Sequence, residues 1–221
     1  MKNDHSVTKY VSADAPRELT DWLRSQGCEV ILVQPAVNVH TPITAHADIQ
    51  MCRLGCHDNS PVFMAKTTVL NALSDDYPHD VPFNAACTGR YFIHNTEFTD
   101  PDLLAAAKQA GMTIINVKQG YAKCSTVIVD EDSIITYDNG IADACEQAGM
   151  NVLKIQPGHV VLEGYNTGFI GGTSGRVGDV VVFCGDITGH PDGVRIDEWI
   201  TAKGLKVKCF DFPLTDIGSI I

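Results

Sequence analysis

Asp102-Leu103-Leu104-Ala105-Ala106-Ala107-Lys108-Gln109-Ala110-Gly111-Met112-Thr113-Ile114-Ile115-Asn116-Val117 is the stretch on which the architecture turns. A helix-forming run is stopped by a glycine and followed at once by a β-rich run, which is how a helix, its glycine cap and the next strand read in sequence. The same phrase occurs at Leu19 to Gly27 before Cys28 to Val33, at Ile141 to Gly149 before Met150 to Ile155, and at Asp197 to Gly204 before Leu205 to Phe210. The first interval between these glycines is about twice a typical unit of roughly 40 residues. A degenerate fifth unit is therefore expected there, with Thr67 to Leu73 as a short helix and Ala85 to His94 as strand.

Paired extended segments lie between the helical units. Val127 to Val129 and Ile134 to Tyr137 flank the polar turn Asp130-Glu131-Asp132-Ser133, and Phe169-Ile170 and Val180 to Phe183 flank a glycine-rich turn. The predicted unit is strand, strand, helix, strand, repeated four or five times in an α/β chain with mixed sheets. Such sheets can close radially around a central opening; an open mixed sheet is the alternative. With no linker or low-complexity tract, residues 1–221 read as a single domain.

The 221 residues are 44% hydrophobic, enough for a full core, with no run long enough to cross a bilayer. The polar start Met1-Lys2-Asn3-Asp4-His5 lacks the apolar stretch of a secretory signal, so a cytoplasmic location is expected. Eight cysteines are scattered through segments that look like core, and they read as reduced thiols rather than a disulfide framework. A formal net charge of −11 with no basic cluster argues against a nucleic-acid partner.

The chemistry centres on Gly120-Tyr121-Ala122-Lys123-Cys124-Ser125-Thr126, a loop before the strand-like run Thr126 to Val129. A thiol attacks as its thiolate and needs a positive charge, a base or open backbone donors; Lys123 and Gly120 offer two of these. His46-Ala47-Asp48 offers a base, because alternation in an extended segment points His46 and Asp48 to one side. His190-Pro191-Asp192 is the rival, although its proline reads more simply as a turn leading into the helix after it. Cys52, Cys56 and His57 are close together, but with only His79 as a further candidate they complete no four-coordinate zinc site. Gly168 to Gly178 lacks the Gly-Lys-Ser/Thr ending of a phosphate loop and reads as a tight strand connection.

Taken together, the repeated unit, the His-x-Asp motif and the cysteine in a glycine-containing loop resemble the pentein, or guanidino-group-modifying enzyme (GME fold), superfamily. The whole chain is similar to bacterial proteins of unknown function with that fold. Gly120 to Ser125, Gly171 to Gly175, Gly189 to Asp192 and the tail Pro213 to Ile221 carry the likeness. The resemblance implies a pseudo-symmetric pentein-like α/β propeller of about five units. It implies Cys124 as nucleophile, His46 as acid and base, and Asp48 as a ligand of a substrate guanidinium. Glu163, in Glu163-Gly164-Tyr165-Asn166, stands where the enzymes have an acidic Glu-Gly-Gly motif and is a second candidate carboxylate for the guanidinium. The enzymes keep their cysteine near the C-terminus, so the order of units here would be circularly shifted.

The implied reaction is hydrolysis or transfer at a C–N bond of a small guanidine-like compound, as in deiminases, amidinohydrolases and amidinotransferases. Cys124 would attack the central carbon while His46 protonates the departing amine and then activates water. No cofactor, metal, nucleic-acid or membrane partner is expected, and a homo-oligomer is compatible with the scaffold. The alternative is a non-enzymatic ligand-binding or assembly protein.

Overall fold

The computed structural model describes residues 7–39 and 42–221; the polar start, read above as lacking a signal, lies outside them through residue 6. The elements follow in five groups. The first is β1 (Thr8–Ser12), α1 (Arg17–Ser25) and β2 (Glu29–Val33). A 3₁₀ turn at Ala47–Ile49 precedes the second, β3 (Met51–Arg53), β4 (Val62–Met64) and the short α2 (Thr67–Leu70). The third is β5 (Ala86–Cys87), β6 (Tyr91–His94), α3 (Pro101–Gln109) and β7 (Thr113–Asn116). The fourth is β8 (Thr126–Ile128), β9 (Ser133–Thr136), α4 (Asn139–Gln147) and β10 (Asn151–Lys154). The fifth is β11 (Ser174–Val177), β12 (Val180–Phe183), α5 (Gly193–Thr201) and β13 (Lys206–Lys208).

Each of the last three groups forms its own small mixed sheet: an antiparallel hairpin, then a helix that returns the chain parallel to the second strand. β1 and β2 are joined by α1 in the same parallel way, because parallel neighbours need a crossover. Asp100 starts α3 by accepting from the backbone N–H groups of Asp102 and Leu103, both at 3.0 Å, and Asp138 caps α4 through Ile141 N at 2.9 Å. Gly27, Gly111, Gly149 and Gly204 close the helices at φ of +82°, +76°, +86° and +75°. A Cβ at any of them would meet nothing within 4 Å, so backbone conformation rather than space demands glycine there.

The core lies between successive sheets, with α1, α3, α4 and α5 burying their apolar stripes there. Ile141 and Cys145 of α4 pack with Tyr91, Ile93 and Ile115 of the preceding sheet. Ile196 and Ile200 of α5 likewise pack with Ile135 and Leu153 as well as Phe183. Leu19 and Leu23 of α1 pack with Val182 and Cys184 from the far end of the sequence. The C-terminal tail joins the ends: Tyr10 and Ile221 exchange backbone hydrogen bonds at 2.7 and 3.0 Å, and Ile220 N donates to Ser174 O at 3.0 Å.

Three expectations are corrected. Ala85 to His94 is not one strand but a hairpin, because Gly89 turns at φ +100° between β5 and β6. Phe169-Ile170 is not the partner of β12; that role falls to Ser174–Val177 after a 3₁₀ turn at Gly171–Thr173. α5 begins at Gly193, ahead of the Asp197 expected from the apolar pattern. The β3–β4 hairpin was not anticipated at all.

Candidate functional site

Cys124 sits in the turn before β8, and its residue is only 4% exposed. Lys123 N donates to Asn84 O at 2.9 Å, and Gly172 N donates to Cys124 O at 3.0 Å. The glycine-rich turn 171–172 can press against this loop only because it has no side chains: a Cβ on Gly171 would collide with the backbone of Lys123 and Thr126. The glycines here serve close packing; Gly168 to Gly178 is not a tight strand connection, because it holds a 3₁₀ turn and then β11 itself.

Asn84 meets Cys124 twice, its Oδ1 accepting from Cys124 N and its Nδ2 donating to the sulfur, both at 3.1 Å. The thiol in turn donates to Asp48 Oδ2 at 3.1 Å. Ser219 Oγ also donates to Asp48 Oδ2, at 2.6 Å, and accepts from Lys123 Nζ at 2.9 Å. The result is a buried chain running from the Lys123 ammonium through Ser219 to Asp48 and the thiol. Asp48 Oδ1 is buried without a hydrogen-bond partner among the described residues. Ser219 holds its place at φ +72°, a left-handed conformation that a non-glycine residue adopts at a cost and that often accompanies functional sites.

His46 and Asp48 do not lie on an extended segment. His46 caps the 3₁₀ turn Ala47–Ile49 in which Asp48 sits, so alternation is not what groups them. His46 Nδ1 is 4.0 Å from Asp216 Oδ1. Asp216 is buried and accepts from Phe169 N at 2.9 Å and Gly218 N at 3.0 Å. Gly218 (φ +69°) lies against His46 so closely that a Cβ there would overlap the histidine side chain.

The electrostatics oppose a ready-made thiolate. Burial first, then the charges of Asp48 and Asp216, push the Cys124 thiol well above its ordinary value, against the donated Asn84 hydrogen bond. Lys123 does not point its ammonium at the sulfur as expected; it donates to Gly171 O at 3.0 Å as well as to Ser219. Burial lowers the Lys123 pKa, opposed by Asp48, Cys124 and Asp216. Burial also raises the Asp216 carboxyl, opposed by His46.

Beside this network runs a partly exposed aromatic shelf. Tyr121 stacks with Phe169 at 5.7 Å, Phe169 with Tyr137 at 6.1 Å, and Tyr77 lies 5.8 Å from Tyr121. Tyr121 donates its hydroxyl to the buried Asp80. Glu163 is exposed on the loop through Tyr165, which reaches Pro42 at Gly164; it stands outside the hydrogen-bonded network. His190 is placed elsewhere. Its Nε2 meets Gln156 O at 3.1 Å, its Nδ1 accepts from Asp192 N at 3.0 Å, and its ring lies 5.4 Å from His159. This is the turn before α5 that the proline implied.

Cys52 Sγ lies 3.4 Å from Cys87 Sγ, and His57 pairs with exposed Glu131 at 3.0 Å. Among the described residues no group of three or more His, Cys, Asp or Glu side chains could hold a metal ion, and all eight cysteines are free thiols. No helix of the described residues is long and apolar enough to cross a membrane. Asn84 and Asp216 were not anticipated as site residues. Neither lies in a motif with a recognisable spacing; Ser219 and Asp216 were visible only as part of the tail that carries the pentein likeness.

Fold and site together define a mixed α/β protein with a buried cysteine–carboxylate centre. The chain belongs to the family of unknown function DUF6873, whose profile matches residues 10–221. No curated protein and no solved structure matches the chain.

Proposed function

We propose that the five sheets stand as the blades of a pentein-like α/β propeller, and that the protein takes a small guanidine-like cation at Asp48 and Asp216 with Cys124 as the attacking sulfur. The radial arrangement is supported by α1 packing on the last sheet and by the tail that bonds both β1 and β11. The reading of the site is carried by one observation: a fully buried carboxylate, Asp48, touches the Cys124 sulfur with one oxygen and leaves the other without a partner among the described residues. An uncompensated buried carboxylate oxygen is costly, and a planar N–H donor with a positive charge is the group that relieves it. The aromatic shelf suits the face of such a cation.

The same cation would activate the sulfur. Burial first, then the charges of Asp48 and Asp216, hold the thiol protonated, and a guanidinium bound between the two carboxylates offsets those charges. Sulfur then forms a bond to the central carbon as its proton moves to Asp48, the C–N bond breaks, and His46 protonates the departing amine. Water completes hydrolysis, or a second amine completes transfer. Glu163, on the exposed loop, is left to the rim of the site.

Chloroacetamidine, which carries an amidinium and an alkylating carbon, tests this. Wild-type protein should gain one adduct by intact mass, mapped to Cys124, with competition by guanidinium salts; Cys124→Ala should gain none there. Labelling that guanidinium does not slow, or that persists stoichiometrically in Cys124→Ala, rejects the assignment. A second reading, binding without chemistry, is favoured by His46 facing Asp216 rather than the sulfur. It predicts saturable calorimetric binding of alkylguanidines with no ammonia or amine released.

A further inference from the structure

Four cations converge inside a protein whose net charge is −11. Lys9 of β1, Arg53 of β3, Lys123 before β8 and Arg176 of β11 line one cavity of about 40 Å³. They come from four of the five sheet groups, so chain neighbourhood does not explain their meeting. Lys9 and Lys123 are 1% and 6% exposed. Among the described residues no Asp or Glu side chain lines the cavity, whose wall also includes Ile220 and Ile221. Asp58 offsets Lys9, its Oδ1 lying 2.9 Å from Lys9 Nζ while its Oδ2 accepts from Gly178 N at 2.8 Å, and Lys123 is offset by Asp48 and Asp216.

The hydrogen bonding is incomplete in a directional way. Arg53 donates through its terminal nitrogens to the backbone oxygens of Asp58, Ser60 and Thr8 at 2.9 to 3.0 Å. Arg176 donates to Val129 O and to Gly178 O, and Lys9 Nζ to Arg176 O at 2.5 Å. Yet the Nε atoms of both arginines are buried without any acceptor among the described residues. Carbonyl oxygens thus hold the guanidinium ends in place but neutralise nothing. Buried donors of this strength are normally satisfied, and clustered cations repel in a medium of low dielectric. Burial and Arg53 both work against the charge on Lys9.

We propose that this cavity is a binding site for a small inorganic anion, a halide or a compact oxyanion. The volume sets the class: a single water needs some 10–15 Å³ of such space, so about 40 Å³ admits a monatomic ion or a small oxyanion and has no room for an organic acid. The site is separate from the guanidine reading. They share only Lys123, whose ammonium bonds are to Ser219 and Gly171. An anion here would hold β1, β3, β8 and β11 together at their common meeting point.

The test uses the full chain and three anions. Thermal unfolding is followed at constant ionic strength while chloride, nitrate or phosphate replaces gluconate, which is too large to enter. At least one small anion should raise the midpoint saturably, since a ligand that binds only the folded state stabilises it by mass action. Arg176→Gln should weaken the fitted affinity at least tenfold, and Arg53→Gln should do likewise. If either variant fails to fold, wild-type crystals soaked in bromide provide the second readout, an anomalous peak between Arg53 and Arg176. An anion-independent midpoint together with no bromide peak in the cavity overturns the proposal; so does a shift of undiminished affinity in a folded Arg176→Gln protein.

Discussion

Asn84 holds Cys124 at both ends, its carbonyl oxygen on the backbone N–H and its amide nitrogen on the sulfur, each at 3.1 Å. Both residues are buried. Asn84→Leu should therefore leave the Cys124 N–H unpaired and destabilise the protein by about 1–3 kcal/mol, measured by urea unfolding. Removing the hydrogen bond that favours the thiolate should also slow alkylation of Cys124 at fixed pH. Unchanged stability and labelling would mean that Asn84 does not position the thiol.

The Cys124 thiol is held above its ordinary value of about 9 by burial and by Asp48 and Asp216. Alkylation by a neutral reagent such as iodoacetamide should still be rising with pH beyond pH 9, without a plateau. Asp48→Asn removes one of the negative charges and should move the profile to lower pH. The linkage follows: above about pH 9 the unfolded chain loses this proton and the folded chain keeps it, so stability falls as pH rises from there. Cys124→Ala should flatten that alkaline decline.

His94 predicts a loss of stability in acid. Burial pushes its pKa down to about 4 although its ring meets Thr99 Oγ1 at 2.7 Å and Gly120 O at 2.8 Å. Unfolded histidine titrates near 6.5. Between these values the unfolded chain binds the extra proton, so stability should decline from pH 6.5 to pH 4, by roughly 3 kcal/mol in all. His94→Gln should lose this slope in pH-dependent unfolding. Because His94 grips the carbonyl that opens the cysteine loop, the wild type should also lose Cys124 labelling specificity over the same pH range.

Ser219 and Gly218 separate chemistry from conformation. Ser219→Ala keeps the left-handed strain and deletes the hydroxyl that links Lys123 to Asp48, so it should cost about 1–3 kcal/mol. Ser219→Gly deletes the same hydroxyl but relaxes the backbone, and should be the more stable of the two by about 1 kcal/mol. Gly218→Ala should be worse than either, because φ is +69° and the new Cβ would overlap His46. Paired thermal and urea unfolding give the ranking; a Ser219→Ala protein as stable as the wild type would remove Ser219 from the network.

The helix–glycine–strand phrase located four helices and the parallel strands after them because glycine caps and apolar periodicity are local properties, written in adjacent residues. Cys124 before a strand was legible for the same reason. The short helix α2 was legible within Thr67 to Leu73, but the β3–β4 hairpin has too few residues for periodicity to speak, and Gly89 inside an apolar run looks like strand until its backbone turns. What sits around the sulfur was beyond local reading. Asp48, Asn84, Lys123 and Ser219 lie far apart in the chain, and their order in the buried network depends on how the sheets pack. Lys123 shows the difference: sequence puts its charge next to Cys124, whereas packing turns the ammonium to Ser219 and Gly171 and leaves Asp48 as the sulfur's neighbour. Burial and side-chain direction, which fix the sign of a pKa shift, are properties of the assembled chain. Residue types and spacing therefore determined which groups were available, and tertiary packing decided which of them meet.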